Sequence, residues 1–385
     1  MSRIAFVSGM AGSPWGGSEE LWSETARHLL RDGHDVWVSV HHWAHTPEPV
    51  LRLRRAGAIV HTHDRFPETM AARLGSKVAR KLGLAQTSPA LSSWPNLIQF
   101  QPDLVCISHG GTTCALPWML ICLEDGFPYV SIANGNSASW WPGDEVAPEI
   151  RRAYFGARKA YFVSQANADL FQTQITADLP NLEVIRNPFS VPWDSNPPWP
   201  DSTEGFKLAC VAQFDPVNKG QDLLFSVLAE SDWRKRPIEV SLFGNGNCAE
   251  GLRRLIERHN LGKSVRIAGY VDDVGEIWKD HHAIILPSRA EGLPISLVEA
   301  MLCGRFGIVT NVAGAEEVIE DEVNGFVAAT PSVNDLRHAM ERAWSRRHDW
   351  RDIGQVAAES IRAKVPPDPA QIMAERLLNL AATEE

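Results

Sequence analysis

Short apolar runs rich in β-branched residues alternate with helical patterns along the whole chain of 385 residues. In the first half these strand patterns lie near residues 3–8, 34–40, 103–107, 128–133, 160–164 and 182–185. In the second half they lie near residues 207–212, 238–243, 265–268, 283–286, 306–310 and 326–329. This alternation is typical of parallel sheets wrapped by helices, because the connection between two parallel strands has to cross the sheet. The predicted fold class is α/β, with doubly wound, Rossmann-like sheets.

A proline-rich stretch, residues 187–205, interrupts the alternation and contains five of the 25 prolines. The chain is also longer than the roughly 250 to 300 residues at which a single core stops growing. We therefore predict two domains of similar size. The expected boundaries are a first domain of residues 1–190, a linker of 191–205, a second domain of 206–365, and a C-terminal helix in 366–385 that packs back on the first domain.

Charge and cysteine content restrict the partners and the compartment. There are 37 Lys and Arg against 47 Asp and Glu, a net charge of −10, and such a surface repels the phosphates of extended nucleic acid. The six cysteines form no Cys-x-x-Cys pair and most lie in apolar runs, which predicts reduced, buried thiols. Neither a signal-peptide pattern nor an apolar run of about 20 residues is seen, so the expected location is the cytoplasm.

Two further features suggest ligands without specifying them. Residues 73–84 carry Lys77, Arg80 and Lys81, a pattern that would permit weak peripheral contact with an anionic membrane, although a solvated helix face has the same composition. Trp140 and Trp141 fall in a predicted loop and could stack on a sugar face, although most tryptophans serve packing.

The most informative segment is 287–301, which follows the predicted strand at 283–286. Pro294 suits the first position of a helix, which places Glu291 in the loop and Glu299 on the helix. Two carboxylates at this spacing can line one pocket and accept hydrogen bonds from the vicinal hydroxyls of a sugar. The backbone N–H groups of residues 292–296 would face an anion. Glutamate is costly in such an apolar turn unless it binds something, which favours a binding site over a solvated helix face.

Two other loops after strands are candidates for phosphate binding. Lys219 stands just before a helix, so its charge adds to the positive end of that helix and suits a diphosphate. Gly16 and Gly17 lie in the loop after the first strand, where glycine lets a ligand approach the backbone. A surface lysine and a plain tight turn would explain these two patterns equally well. Neither loop matches a Walker or Gly-x-Gly-x-x-Gly pattern.

The sequence predicts neither a metal site nor a serine hydrolase. No Asp-x-Asp occurs to hold a metal–nucleotide complex, and no Gly-x-Ser-x-Gly is present. Ordered metal-ligand spacing is also missing from the first-half histidines His41, His42, His45, His61 and His63.

On these residues the chain resembles the retaining, nucleotide-sugar-dependent glycosyltransferases of family 4, whose GT-B fold has two Rossmann-like domains facing across a cleft. The resemblance spans nearly the whole chain. It rests on Glu291 to Glu299 as the Glu-x7-Glu motif, Lys219-Gly220 as the Lys-Gly pair, Gly16-Gly17-Ser18-Glu19 as the Gly-Gly-x-Glu loop, Tyr270-Val271 in the base-contacting loop, and Asn324-Gly325-Phe326-Val327 as the last turn.

The resemblance implies a retaining, metal-independent transferase of the EC 2.4 class. It would move a sugar from a nucleotide-diphosphate sugar to a glycan, lipid-linked or small-molecule hydroxyl and would need no cofactor. Glu291 would hold hydroxyls of the donor sugar, Glu299 the ribose hydroxyls, and Lys219 the diphosphate. The remaining donor contacts it implies are Gly16, Gly17, Gln213, Gly292, Leu293, Pro294, Ile295, Tyr270 and Val271.

The chain departs from the family pattern at two positions. Gln213 stands where the family usually has an arginine, and Asn134 stands where many members have a catalytic histidine. Arg289 is the candidate for replacing the lost cation, although it could be a surface arginine. These departures leave open a degenerate protein that binds a nucleotide sugar or a partner without transfer. A GT-B sugar-nucleotide epimerase is a third interpretation, which the glycine-rich loop and the Lys-Gly spacing disfavour.

Overall fold

A computed structural model describes residues 1–64 and 92–383. The basic segment 73–84, interpreted above as a possible membrane contact, lies outside the described residues. The chain divides into two compact units. The first unit comprises Met1–Val163, Ala168–Pro188 and Asp368–Glu385, and the second comprises Ser164–Asn167 and Phe189–Pro367.

The first unit is built on a parallel sheet of seven strands. These are β1 (Arg3–Ser8), β2 (Asp35–His41), β3 (Ile59–His63), β4 (Leu104–His109), β5 (Tyr129–Ala133), β6 (Lys159–Phe162) and β7 (Leu182–Val184). Their order across the sheet is β3-β2-β1-β4-β5-β6-β7.

The second unit has a parallel sheet of six strands. These are β8 (Phe206–Val211), β9 (Ile238–Phe243), β10 (Val265–Gly269), β11 (Ala283–Leu286), β12 (Phe306–Thr310) and β13 (Gly325–Ala328). Their order is β10-β9-β8-β11-β12-β13.

Helices connect the strands in both units. Those up to residue 190 are α1 (Gly17–Arg31), α2 (Glu48–Arg55), α3 (Trp94–Phe100), α4 (Leu116–Asp125), α5 (Ala147–Phe155) and α6 (Gln165–Ile175). The later ones are α7 (Pro216–Lys219), α8 (Gln221–Leu228), α9 (Ala249–Arg258), α10 (Val274–Asp280), α11 (Ile295–Leu302), α12 (Ala315–Val318), α13 (Val333–Ser345), α14 (Trp350–Lys364) and α15 (Pro369–Ala382).

Both faces of the first sheet are covered by apolar side chains. Successive residues of β1 alternate between two hydrophobic clusters, with Ile4 and Phe6 in one and Ala5 and Val7 in the other. This alternation follows from the two-residue period of a strand, and two buried faces are the hallmark of a parallel sheet with helices on each side. The predicted α/β class with two Rossmann-like sheets is confirmed.

The sequence prediction missed one strand and misjudged two cysteines. β3 is an edge strand whose first residue, Ile59, is half exposed, so its apolar pattern is too weak to mark it. The expectation of buried thiols is wrong for Cys114, which is exposed, and for Cys248, which is half-buried. Both lie in loops beside helix starts, where no packed face covers them.

The C-terminal helix belongs to the first unit. The C-terminal helix α15 packs against α1, where the Thr25 hydroxyl donates to the Ala370 carbonyl over 3.3 Å. Met373, Ala374 and Leu377 of α15 enter the same hydrophobic cluster as Leu21 of α1.

None of the described helices has the length and apolar character needed to cross a membrane.

Each sheet has one point where the strand order reverses, between β1 and β4 in the first unit and between β8 and β11 in the second. In doubly wound sheets the connections on either side of such a point run to opposite faces, which leaves a crevice at the carboxyl edge. Ligands of doubly wound sheets bind at this crevice, so the loops after these strands are where a site is expected.

Candidate functional site

Two loops meet at the reversal point of the second sheet, one after β8 and one after β11. Gly220 has a φ of 64°, and a Cβ atom on it would lie 1.9 Å from the Pro287 carbonyl oxygen. The Asn218 carbonyl also accepts hydrogen bonds from the N–H groups of Arg289 (2.7 Å) and Ala290 (3.2 Å). Only glycine permits so close an approach in this conformation, and the two loops are thereby joined through their backbones.

The joined loops bring Lys219 and Glu291 together. Lys219 Nζ donates to Glu291 Oε1 over 2.7 Å, and the Ser288 hydroxyl donates to the same oxygen over 2.8 Å. The Lys219 side chain is 21% exposed and that of Glu291 only 9%. A charge-assisted hydrogen bond in so sheltered a place is stronger than one at an open surface, and it fixes both groups at the mouth of the crevice.

Glu299 lies on α11, eight residues beyond Glu291, and is buried with 4% of its surface exposed. One carboxylate oxygen accepts the backbone N–H of Ser190 over 2.8 Å. The predicted helix start is displaced by one residue, because Pro294 is the N-cap and Ile295 begins the helix. Burying a carboxylate costs free energy unless it is hydrogen-bonded, so the position of Glu299 next to this loop indicates that its carboxylate binds polar groups.

Arg289 is held by Asp222 of α8. Both terminal nitrogens of the guanidinium donate to the carboxylate over 2.7 Å, and Nη1 also donates to the Pro216 carbonyl. This bidentate pairing raises the pKa of Arg289 above its ordinary value. Three hydrogen bonds hold the two terminal nitrogens of Arg289 on Asp222 and the Pro216 carbonyl, which weighs against its predicted part as the replacement cation.

The other residues predicted for the second unit follow strands at the same carboxyl edge. Gln213 comes two residues after β8 and is exposed, while its carbonyl accepts a hydrogen bond from the Gln221 side chain over 2.7 Å. Tyr270 directly follows β10 and is 68% exposed, with Val271 next to it. Gly292 and Leu293 are buried between Glu291 and the start of α11. The structure gathers these residues at one edge, and their donor contacts remain predictions.

The reversal point of the first sheet carries neutral polar groups. Asn134 follows β5, and its Nδ2 donates to the Ser108 hydroxyl and to the His109 carbonyl, both over 3.2 Å. The Ser108 hydroxyl donates in turn to the Ser18 carbonyl at the start of α1. Within the part of the chain that is described, the buried Oδ1 of Asn134 meets no hydrogen-bond donor.

The loop before α1 ends at Gly16, the extended N-cap residue, and Gly17 is the first helical residue. The Gly16 carbonyl accepts the N–H of Glu19, whose side chain is only 2% exposed. Burial raises the pKa of Glu19 to about 7, although hydrogen bonds with Ser8 and Ser18 oppose the shift. The glycine loop is thus followed directly by a buried carboxyl group, Glu19, the last residue of the Gly-Gly-x-Glu stretch identified in the sequence.

The first-half histidines form no metal centre in the described residues. The rings of His41 and His63 are 4.4 Å apart, and the Nδ1 of His63 is 2.7 Å from the Ser39 hydroxyl. Across residues 1–64 and 92–383, no group of three or more His, Cys, Asp or Glu side chains is placed to hold a metal ion. Metal independence itself stays a prediction.

Three residues of the second-unit site were missed by sequence reasoning: Ser190, Ser288 and Asp222. Ser190 falls in the stretch interpreted as a connector, and it contributes only a backbone N–H that no pattern can reveal. Ser288 is three residues before Glu291 and could have been suspected from that proximity. Asp222 lies far from Arg289 in sequence, so nothing short of the loop geometry pairs them.

Two family models match the chain in succession. The model described as Glycosyltransferase Family 4 matches residues 15–191, and the model described as Glycosyl transferases group 1 matches residues 194–359. The boundary between them falls within the proline-rich stretch.

Among curated proteins, the chain is 24% identical over 160 residues to the poly(ribitol-phosphate) alpha-N-acetylglucosaminyltransferase of Staphylococcus aureus. That match covers 41% of this chain and 32% of the relative. The chain thus spans about a third of the length of the curated relatives it matches.

Among solved structures, HepE of Anabaena in complex with UDP-glucose is 17% identical and has a TM-score of 0.73, over 98% of this chain and 100% of that one. A TarM mutant of S. aureus in complex with fondaparinux, alpha-GlcNAc-glycerol and UDP is 14% identical, with a TM-score of 0.74 over 100% of both chains. Likenesses at this identity show the fold. With the two family models in tandem on the two Rossmann-like units, the chain belongs to the family-4 type of glycosyltransferases with the GT-B fold.

Proposed function

We propose that the protein transfers a sugar from a nucleotide-diphosphate sugar to a hydroxyl acceptor, with retention of configuration and without a metal ion. The observation that carries this proposal is the sheltered Lys219–Glu291 pair at the reversal point of the second sheet. A fixed cation and a fixed carboxylate lie side by side where doubly wound sheets bind ligands. A nucleotide-diphosphate sugar has matching groups next to each other, because its phosphates suit the cation and its sugar hydroxyls suit the carboxylate.

The pair retains capacity for a ligand. An ammonium group has three donors, and within residues 1–64 and 92–383 Lys219 uses one of them on Glu291, so two can reach the oxygens of a diphosphate. Glu291 receives Lys219 and Ser288 on Oε1, so Oε2 can accept hydroxyls of the donor sugar. Glu299 contributes a buried carboxylate to the same loop wall and is assigned to the ribose hydroxyls.

The proposed reaction breaks the bond between the anomeric carbon and the diphosphate and forms a bond to the acceptor oxygen on the same face. The acceptor hydroxyl gives its proton to an oxygen of the departing diphosphate. Negative charge grows on the diphosphate as the sugar becomes oxocarbenium-like, and Lys219 is already placed to stabilise it. Preorganised charge of this kind takes the part that a metal ion has in other transferases.

Two structural relatives support the donor class. HepE was solved with UDP-glucose and TarM with UDP, and both share the architecture of this chain. The curated relative from S. aureus is named for transfer of N-acetylglucosamine. These names favour a nucleotide sugar as the donor.

A calorimetric screen of UDP-, GDP-, ADP- and dTDP-sugars tests the proposal, followed by an acceptor screen and NMR assignment of the product's anomeric configuration. We expect one donor to bind and the product to keep the donor's configuration. Failure of every nucleotide sugar to bind would refute the proposal, and an inverted product would refute retention.

Gln213 and Asn134 favour one second candidate, a degenerate member that binds a nucleotide sugar without transferring it. Both residues are neutral where the family usually has a cation or a histidine. Donor binding without transfer to any acceptor would support this candidate over the first.

A further inference from the structure

The loop that follows β5 exposes two adjacent indole rings. Trp140 is 41% exposed and Trp141 is 57% exposed, although five other tryptophans are fully buried. The pair comes six residues after Asn134, on the loop that leaves the carboxyl edge of the first sheet. Large neighbouring aromatic groups on a surface are characteristic of a recognition site, because indole combines apolar area with a hydrogen-bonding edge.

Internal hydrogen bonds hold this loop in one conformation. Asn136 donates to Gln174 over 2.9 Å, and Gln174 donates to the Ser137 carbonyl over 2.8 Å. The Ser137 carbonyl also accepts the N–H of Trp140, at the start of the single turn Ala138–Trp140. Asn136 and Gln174 are both buried. The indoles are therefore presented by a preorganised support, and little conformational entropy is lost when a ligand binds.

Trp140 is anchored on one side. A Cβ atom on Gly111 would lie 3.4 Å from Cζ3 of Trp140 and 3.5 Å from Sγ of Cys114. The Trp140 ring therefore lies beside Gly111, in the loop after β4. Trp141, which is more exposed, extends the aromatic surface from this anchored ring.

The charged residues that follow the two indoles in this loop are acidic. Asp144 and Glu145 are exposed three to five residues later in the same loop, and the chain as a whole carries a net charge of −10. An anionic bilayer or a phosphate-rich polymer would be repelled here. A neutral pyranose ring suits the surface better, since its C–H face can cover an indole while its hydroxyls donate to carboxylates.

We propose that Trp140 and Trp141 form an aromatic platform that binds a neutral sugar ring of the acceptor. This inference rests on the proposed transferase function, and it specifies the acceptor as a carbohydrate with an uncharged terminal residue. Trp140 and Trp141 are specificity-determining residues in this assignment, because they contact the ring of the acceptor and take no part in bond making.

The test uses the full chain and neutral trisaccharides as probes. Chitotriose, maltotriose and cellotriose are titrated against wild-type protein, Trp141→Ala, Trp141→Tyr and the control Phe155→Ala, with binding followed by saturation-transfer NMR. Phe155 is an exposed aromatic residue of the same unit (47%) outside the loop. We expect at least one trisaccharide to bind and Trp141→Ala to weaken it about tenfold, as truncation of an aromatic anchor does. Trp141→Tyr and Phe155→Ala should stay within about threefold of wild type.

Three outcomes would overturn the platform: no binding of any trisaccharide, equal binding by Trp141→Ala and wild type, or Trp141-dependent co-sedimentation with phosphatidylcholine–phosphatidylglycerol vesicles. The last outcome would identify a membrane surface instead. A parallel titration with the nucleotide sugars separates this inference from the proposed function. If a nucleotide sugar binds and no trisaccharide does, the platform is refuted and the proposed function is retained. If a trisaccharide binds and no nucleotide sugar does, the proposed function is refuted and the sugar-binding platform is retained.

Discussion

The carboxyl edges of the two sheets are alike in topology and opposite in chemistry. The second sheet presents an ion pair, Lys219 with Glu291, and a buried carboxylate, Glu299. The first sheet presents an amide, Asn134, and a pair of exposed indoles, Trp140 and Trp141. A diphosphate needs fixed cations, whereas a neutral sugar needs an apolar face and hydrogen-bond acceptors. In the proposed transferase, this difference assigns donor binding to the second edge and acceptor binding to the first.

Gly220 is the position where we expect the largest loss. Gly220→Ala would place a Cβ 1.9 Å from the Pro287 carbonyl in a left-handed conformation, so the joined loops cannot keep their geometry. We expect the free energy of unfolding to fall by about 4 kcal/mol and donor binding to disappear, while the first edge is unaffected. Urea denaturation measures the first effect and calorimetry the second.

Gly251→Ala is the matched control, because a Cβ there meets nothing within 4 Å. It should leave both quantities unchanged or raise stability slightly, since alanine is the better helix residue. A Gly220→Ala protein as stable as this control would show that the close contact does not hold the site.

The two cations near Glu291 allow a sharper comparison. Lys219→Ala should lower turnover about 100-fold, the scale for losing one preorganised donor in the transition state. Arg289→Ala should lower it less than about tenfold, because three hydrogen bonds hold the terminal nitrogens of Arg289 on Asp222 and the Pro216 carbonyl, whereas Lys219 lies against Glu291 itself. Steady-state rates of the two variants with one donor and one acceptor measure the difference. A larger effect for Arg289→Ala would restore it as the replacement cation.

The buried carboxyl group of Glu19 makes the free energy of unfolding depend on pH. Its pKa, about 7 in the folded protein against an ordinary 4.5, means that the folded state holds the proton more tightly. Stability is therefore lost as pH rises from about 5 through 7, by about 2 kcal/mol between pH 5 and pH 8. Glu19→Gln should remove most of this slope in urea denaturation. Glu24→Gln, in the same helix but less buried, is the control and should leave the slope in place.

The smallest effect is expected from chelation. If Lys219 and backbone N–H groups carry the leaving-group charge, EDTA should not change the rate of transfer in a coupled or chromatographic assay. A strict requirement for a divalent ion would show that Lys219 and the backbone N–H groups do not stabilise the leaving group by themselves.

Most strands could be predicted from the sequence because their burial leaves a continuous apolar pattern, as in β11, where all four residues are buried. β3 could not, since an edge strand buries too little to show one. Glu291 and Lys219 were identifiable because charged residues in loops after buried strands are few and costly. The contacts of Glu299 with Ser190 and of Arg289 with Asp222 were not, because each joins segments that only the folded loops bring together.

The charged edge of the second sheet is proposed to bind the donor, and calorimetric titration of Glu299→Ala and Glu291→Ala measures that binding. With the nucleotide sugar and the free nucleotide as ligands, Glu299→Ala should weaken both by about 1.5 to 3 kcal/mol, as expected for a hydrogen bond to a charged group. Glu291→Ala should weaken the nucleotide sugar more than the free nucleotide. Wild-type affinity for both ligands in folded variants would contradict the account.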